Sequence, residues 1–107
     1  MPRKIRSSSD VIIRTPKLAE AVKFYERIGL KVISRSPKLV GLDAGAFTLY
    51  VEKGKAHGPV FDFLVADVQK TKVELVASKC RVVEENPKVP RCYLRDPYGM
   101  VFNLGRR

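Results

Sequence analysis

The sequence predicts an α+β chain built from two successive βαβββ modules. Three observations carry this. The order of strand and helix patterns occurs twice along the 107 residues, at an offset of about 50 residues, a period at which internal duplication is expected. The two halves enter their helices alike, over residues 10–18 and 60–68. The last apolar run, residues 101–104, leaves a tight Asp96-Pro97-Tyr98-Gly99 turn, the punctuation of a turn that feeds a strand.

The first module opens with Val11-Ile12-Ile13-Arg14-Thr15, β-branched enough to read as a strand. Thr15 and Pro16 then offer an N-cap followed by proline at the first helical position. Leu18, Ala21, Val22, Tyr25 and Ile28 recur at helical spacing and predict one apolar stripe. Gly29 ends that helix. Residues 30–34 read as a strand, Arg35-Ser36-Pro37 as a turn, and residues 38–42 as a second strand. Asp43-Ala44-Gly45 turns into a third strand over residues 46–52.

Residues 53–59 read as a polar linker that carries the only histidine, His57. The order then repeats. Residues 60–65 form a strand, and Asp67 caps a helix whose buried face uses Val68, Thr71, Leu75 and Val76. Residues 81–85 form a strand and 86–90 a turn. Residues 91–95 and 101–104 complete the second module. Residues 1–8 are expected to be a frayed basic arm. Residues 9–107 are expected to be a single domain, with module one at 9–53 and module two at 59–107.

A chain of this length holds one core, and its 45% apolar and 30% charged residues describe a folded globular protein rather than a disordered one. No apolar run approaches the roughly 20 residues that span a bilayer. The basic start lacks the apolar stretch of a signal peptide, so a cytoplasmic location is expected, with no membrane partner. The net charge of +10 has two readings: affinity for nucleic acid or another polyanion, or a Lys-rich surface of a heat-adapted protein. Asn and Gln total three, Gln69, Asn86 and Asn103, and such amides are depleted in thermophilic proteins. The basic residues are dispersed and no nucleic-acid motif accompanies them, which favours the second reading. Cys80 and Cys92 lack the spacing of a zinc or redox pair. They read as small buried apolar side chains. A disulfide between them is an alternative, disfavoured because they fall on different elements.

Two motifs add a resemblance that spans residues 10–104. Ala21-Val22-Lys23-Phe24-Tyr25-Glu26-Arg27-Ile28-Gly29-Leu30 follows the first strand, and Arg95-Asp96-Pro97-Tyr98-Gly99 precedes the last. In these places the chain resembles the vicinal oxygen chelate superfamily, which includes glyoxalase I, bleomycin-resistance proteins and extradiol dioxygenases. The resemblance implies that the modules form a curved mixed sheet around a cavity, with the helices outside. It also implies four strand positions at which family enzymes place metal ligands, here Asp10, Thr48, Val60 and Asn103. A divalent iron, nickel or zinc ion wants three or more imidazole or carboxylate ligands. Val60 cannot ligate and Thr48 and Asn103 are poor substitutes, so no metal and no cofactor is expected.

Strand alternation sorts the remaining side chains. Val11 and Ile13, Phe47, Leu49 and Val51, Phe61, Phe63 and Val65, and Phe102 and Leu104 suit the helix-covered core. Asp10, Ile12, Arg14, Thr48, Tyr50, Glu52, Asp62, Leu64 and Asn103 then face the cavity as candidate ligand-binding residues. Arg14 matches an arginine that glyoxalase I enzymes use to hold a substrate carboxylate, and its fork suits that task. An internal ion pair to Asp10 or Asp62 is the competing role. Asp10 and Asp62 together could also make a carboxylate pair for acid–base work.

The function expected is that of a glyoxalase- or bleomycin-resistance-like protein that binds a small anionic or neutral molecule without the family metal. Bleomycin, a cation, is disfavoured by the chain's own positive charge. The alternatives are a metal-dependent lyase, isomerase or dioxygenase with a rearranged site, and a basic nucleic-acid-binding module. Short loops leave each cavity shallow, so a homodimer is expected.

Overall fold

The computed structural model describes residues 5–107. The element order is β1 (Arg6–Thr15), α1 (Leu18–Arg27), β2 (Lys31–Arg35), β3 (Leu39–Asp43), β4 (Thr48–Lys53), β5 (His57–Val65), α2 (Val68–Ala77), β6 (Arg81–Asn86), β7 (Arg91–Arg95) and β8 (Val101–Arg106). The chain divides into two compact units. One is Ser9–Pro59; the other is Val60–Arg107 together with residues 5–8.

In the first unit the strand order is β2-β3-β4-β1. β1 and β4 run parallel, and β4, β3 and β2 are antiparallel neighbours. The mixed sheet follows from connection length: a helix-bearing crossover separates parallel strands, and short turns join antiparallel ones. The second unit repeats the arrangement as β5-β8-β7-β6, with β5 and β8 parallel. Even the irregularities repeat. The β2–β3 register slips between Val32 and Ser34, and the β6–β7 register slips between Val82 and Glu84.

Each helix covers one face of its own sheet. Val22, Val40, Leu42, Leu49 and Val51 form the first buried cluster, with Val11, Ile13, Leu18 and Tyr25 packed against it. Val65, Cys80, Cys92, Leu94, Phe102 and Leu104 form the second, with Phe63, Val68 and Leu75 against it. Burying a Val, Leu or Phe side chain contributes about 1.5–3 kcal/mol, so these two clusters supply most of the stability of their units. Cys80 and Cys92 sit in the second cluster as free thiols.

Several expectations are revised. β1 begins at Arg6 and not near Val11, and Ile5, just ahead of it, packs against the buried cluster of its own unit. Residues 1–4 of the expected arm lie outside the described residues. Thr15 does not cap α1. Lys17 holds the cap position without a side-chain cap bond, and Thr15 Oγ1 instead accepts from the Lys17 N–H at 3.1 Å. β5 begins at His57, so that residue belongs to a strand and not to the linker. Phe47 and Phe61 are largely exposed rather than core. Phe47 stands one residue before β4 begins, and Phe61 lies ahead of Phe63 and Val65, the β5 residues that meet the second cluster. Ile28, at 60% exposure, lies past the end of α1 and leaves the apolar stripe.

Both helices stop in the same way. The Leu30 N–H donates to the Tyr25 carbonyl and the Gly29 N–H to that of Glu26; Cys80 and Lys79 repeat this against Leu75 and Val76. This pairing needs a left-handed residue just past the helix end. Gly29 provides it at φ 111°, and in the second module Lys79 does so at φ 77°. Among the described residues no helix is long and apolar enough to cross a membrane.

Candidate functional site

In the first unit, β1 and β4 set the candidate residues opposite one another. The register pairs Asp10 with Thr48, Ile12 with Tyr50, and Arg14 with Glu52. Alternation keeps all six on the face away from α1, since Val11, Ile13, Leu49 and Val51 point into the helix-covered cluster. Six of the nine candidates thus share one face, and the parallel crossover is what brings them there.

Two of these side chains are held in place by glycines. Tyr50 stands opposite Gly41 on β3. A Cβ at Gly41 would come within 3.0 Å of the Tyr50 ring and 2.5 Å of Ser34 Oγ. The ring therefore lies across the strand where the side chain is missing, the way an aromatic shields a strand glycine. Arg14 lies against Gly54 in the same manner, with its Cδ 2.9 Å from where a Cβ would be. Its Nε donates to the Lys55 carbonyl at 2.9 Å. The turn after β4 thus fixes the direction of the guanidinium.

In the second unit a row of side chains crosses all four strands: Asp62 opposite Asn103, Asn103 opposite Tyr93, and Tyr93 opposite Glu84. Leu64 stands opposite Gly105. The Asn103 amide is used at both ends. Its Nδ2 donates to Asp62 Oδ1 at 2.9 Å, and its Oδ1 accepts from the Cys92 N–H at 2.9 Å. The Arg91 guanidinium lies 5.2 Å from the centre of the Tyr93 ring and bonds Glu84 at 2.9 Å. Arg91 and Glu84 were not anticipated as members of this face. Their signal was present, since Arg91 shares strand parity with Tyr93, but the register slip in β6 hid Glu84.

Val60, one of the four positions implied by the resemblance, is 1% exposed and belongs to neither cluster. It carries no donor atom. Asn103 faces Asp62, two residues further along β5, rather than offering its amide to a metal. Among the described residues no group of three or more His, Cys, Asp or Glu side chains could hold a metal ion. The donor set does not fit the family metal. His57 Nδ1 lies 2.9 Å from the Gly58 carbonyl, at the start of its strand.

The two thiols lie in the helix-covered cluster, not on the candidate face. Burial pushes the Cys92 thiol up, with the Glu85 carboxylate adding to the effect. Burial also raises Cys80, helped by Asp96. Both shifts disfavour the thiolate, which is the reactive form. The Glu85 hydrogen bond raises the Lys72 ammonium in turn, at a contact of 2.9 Å.

The closing turn is built by one carboxylate. Asp96 Oδ1 accepts from the Tyr98 and Met100 N–H groups at 2.9 and 3.0 Å, and Gly99 takes φ 102°. An Asp at the first turn position does this by its short reach. The turn aims β8, and with it Asn103, along β5.

No protein-family model matches the chain, and no curated protein matches it. Solved structures do. A glyoxalase/bleomycin resistance protein/dioxygenase superfamily member from Vibrio splendidus 12B01 is similar at a TM-score of 0.66 and 14% identity, over 96% of this chain and 99% of that one. Methylmalonyl-CoA epimerase from Mycobacterium tuberculosis is similar at 0.62 and 14% identity, over 96% and 89%. An extradiol ring-cleaving dioxygenase from B. fuscum is similar at 0.66 and 19% identity, over 97% of this chain and 33% of that one. At such identities the likeness concerns backbone architecture, and with the doubled βαβββ order it makes this chain an example of the vicinal oxygen chelate fold.

Proposed function

We propose that the protein binds a small anionic or neutral molecule on the polar sheet faces opposite its helices, without a metal ion. The observation that carries this reading is the double commitment of the Asn103 amide to Asp62 and to the Cys92 N–H. An amide spent in this way adds no ligand to a metal, and it holds the neighbouring carboxylate in a defined direction. Arg14, steadied by the Lys55 carbonyl, is the group for a carboxylate or phosphate on the ligand, because its planar fork matches those oxygens. Tyr50, half-buried on that face, offers an aromatic wall with a polar tip. The protein works as a homodimer in this reading, its short loops calling for a second copy to enclose the ligand. Light scattering checks that, with a monomeric mass at high concentration against it.

Elemental analysis of the purified protein, followed by a thermal-shift screen, tests the function. The expected result is far less than one equivalent of iron, nickel, manganese or zinc, and stabilisation by a small carboxylate such as citrate or benzoate. That stabilisation should weaken in Arg14→Ala. Near-stoichiometric metal defeats the reading in favour of a metal-dependent enzyme. Tight, salt-sensitive binding to DNA with no response to small molecules defeats it in favour of a nucleic-acid-binding module.

A further inference from the structure

We propose a second binding site, for a phosphate monoester with an apolar ester group, in an open cleft of about 460 Å³ beside the start of α1. It is distinct from the sheet face described above and lies within the first unit. Its size falls in the range of small-molecule pockets, about 300–1,000 Å³.

The cleft has an apolar floor and a cationic rim. Val22 and Val40, each 3% exposed, form part of the floor. Lys17, Arg35 and Lys53 line the cleft with a single carboxylate, Glu20. Three cations and one carboxylate give the lining a net charge of +2 at neutral pH. Among the described residues no ion pair engages the three cationic side chains.

The rim is built before any ligand arrives. The Ser36 N–H and hydroxyl both donate to the Leu39 carbonyl, at 2.8 and 3.1 Å. The Lys53 N–H donates to the Lys38 carbonyl at 2.8 Å. These bonds tie the β2–β3 turn to the end of β4, and so set the backbone of Arg35 and Lys53 in relation to each other.

Comparison of the two modules gives an independent reason to look here. In the second module the residue before the helix is Asp67, whose Oδ1 accepts from the Lys70 N–H at 3.0 Å. The matching position in the first module is Lys17, which caps nothing. A lysine there cannot accept from the first-turn N–H groups, and it opposes the positive end of the helix. Local stability argues against lysine at this position. A bound anion removes the conflict, since it pairs with Lys17 and with the same helix end. Functional positions are among the places where such local rules are broken.

The ligand class follows from charge and shape. A phosphate monoester carries nearly two negative charges at neutral pH, matching the +2 lining. A carboxylate carries half of that. The accessible apolar lining, Pro16, Leu18, Ala19 and Pro37, takes the ester group, which inorganic phosphate lacks.

The test is a titration of the isotope-labelled full chain, followed by amide resonances at constant ionic strength, with phenyl phosphate, inorganic phosphate and benzoate. Phenyl phosphate is expected to shift the amides of residues 17–20 and 35–37 saturably. It should bind about tenfold more tightly than the other two, a difference of about 1.4 kcal/mol. Lys17→Ala with Arg35→Ala should weaken it about tenfold or more. Neutralising Lys70 and Lys88, in the second module, should leave it within about twofold. All four side chains are exposed, so the variants keep the core, and a melting temperature no lower than that of the wild-type chain verifies this. Unsaturable shifts at many lysines, or equal losses in both variants, overturn the proposal and leave only general polycation behaviour. Saturable shifts confined to residues 12–14, 50–52, 62 and 103 overturn it while sustaining the sheet-face reading. Shifts at the cleft alone sustain this proposal and count against the sheet face.

Discussion

Asn103 on β8 donates a 2.9 Å hydrogen bond to Asp62 on β5, its register partner in the parallel ladder. The same amide accepts from the Cys92 backbone N–H, so one side chain joins three strands of the second module. Asn103→Leu removes both bonds and strands the donor of Cys92, itself a buried residue. The expected loss is about 1–3 kcal/mol of unfolding free energy, read from urea midpoints. Asp62→Asn keeps an oxygen for Asn103 Nδ2 and should cost less. Equal costs in the two variants would show that the Cys92 bond carries little of the effect.

Raising the pH should destabilise the protein through its two thiols. Cys80 and Cys92 are both raised above the ordinary thiol value by burial. Below that value neither state ionises, and the thiols contribute fully to stability. As pH rises past about 8.5 the unfolded chain releases these protons while the folded chain keeps them, so stability falls. Lys72, raised by Glu85, adds a loss of the same sign at higher pH. Cys80→Ala with Cys92→Ala should therefore flatten the decline, as followed by denaturation at pH values on both sides of about 8.5. A slope unchanged in the double variant would assign the decline elsewhere.

Lys79 holds the left-handed position after α2 at φ 77°, where the first module uses Gly29. A non-glycine residue there carries a steric cost that glycine avoids. Lys79→Gly should stabilise the protein by about 0.5–1 kcal/mol. Gly29→Ala should destabilise it by about 1 kcal/mol or more. Thermal melts of the two variants check both signs, and a destabilised Lys79→Gly would contradict the argument.

Gly41 leaves room for the Tyr50 ring on the candidate face. Gly41→Ala puts a methyl group 3.0 Å from that ring, and the crowding should cost about 1–3 kcal/mol. Ser34 Oγ can rotate away; the ring must tilt. Ring-proton shifts of Tyr50 should move with little change elsewhere, and any ligand stabilisation seen in the wild-type chain should weaken. Native Tyr50 shifts in Gly41→Ala would mean that the ring does not need the glycine.

Much of this architecture was legible in the residue order, because it rests on local physics. Periodicity of apolar residues produced both helices, β-branched runs produced the strands, and Asp67, Gly29 and the Asp96–Gly99 turn marked three of their limits. The duplication was legible for the same reason, since each module repeats those local signals. Alternation also sorted the faces, placing Asp10, Ile12 and Arg14 opposite Val11 and Ile13.

Tertiary structure alone decided which polar groups meet. That Asn103 faces Asp62 and not Val60 depends on the register between strands separated by a helix and a hairpin, and no local signal sets it. The roles of Gly41 and Gly54 depend on a neighbouring strand or turn passing close by. The slip at Glu84 depends on a bulge. The cleft gathers Lys17, Arg35 and Lys53 from three elements that sequence spacing leaves apart. Backbone hydrogen bonds within an element follow its own residues, whereas contacts between elements follow the packing of the whole module.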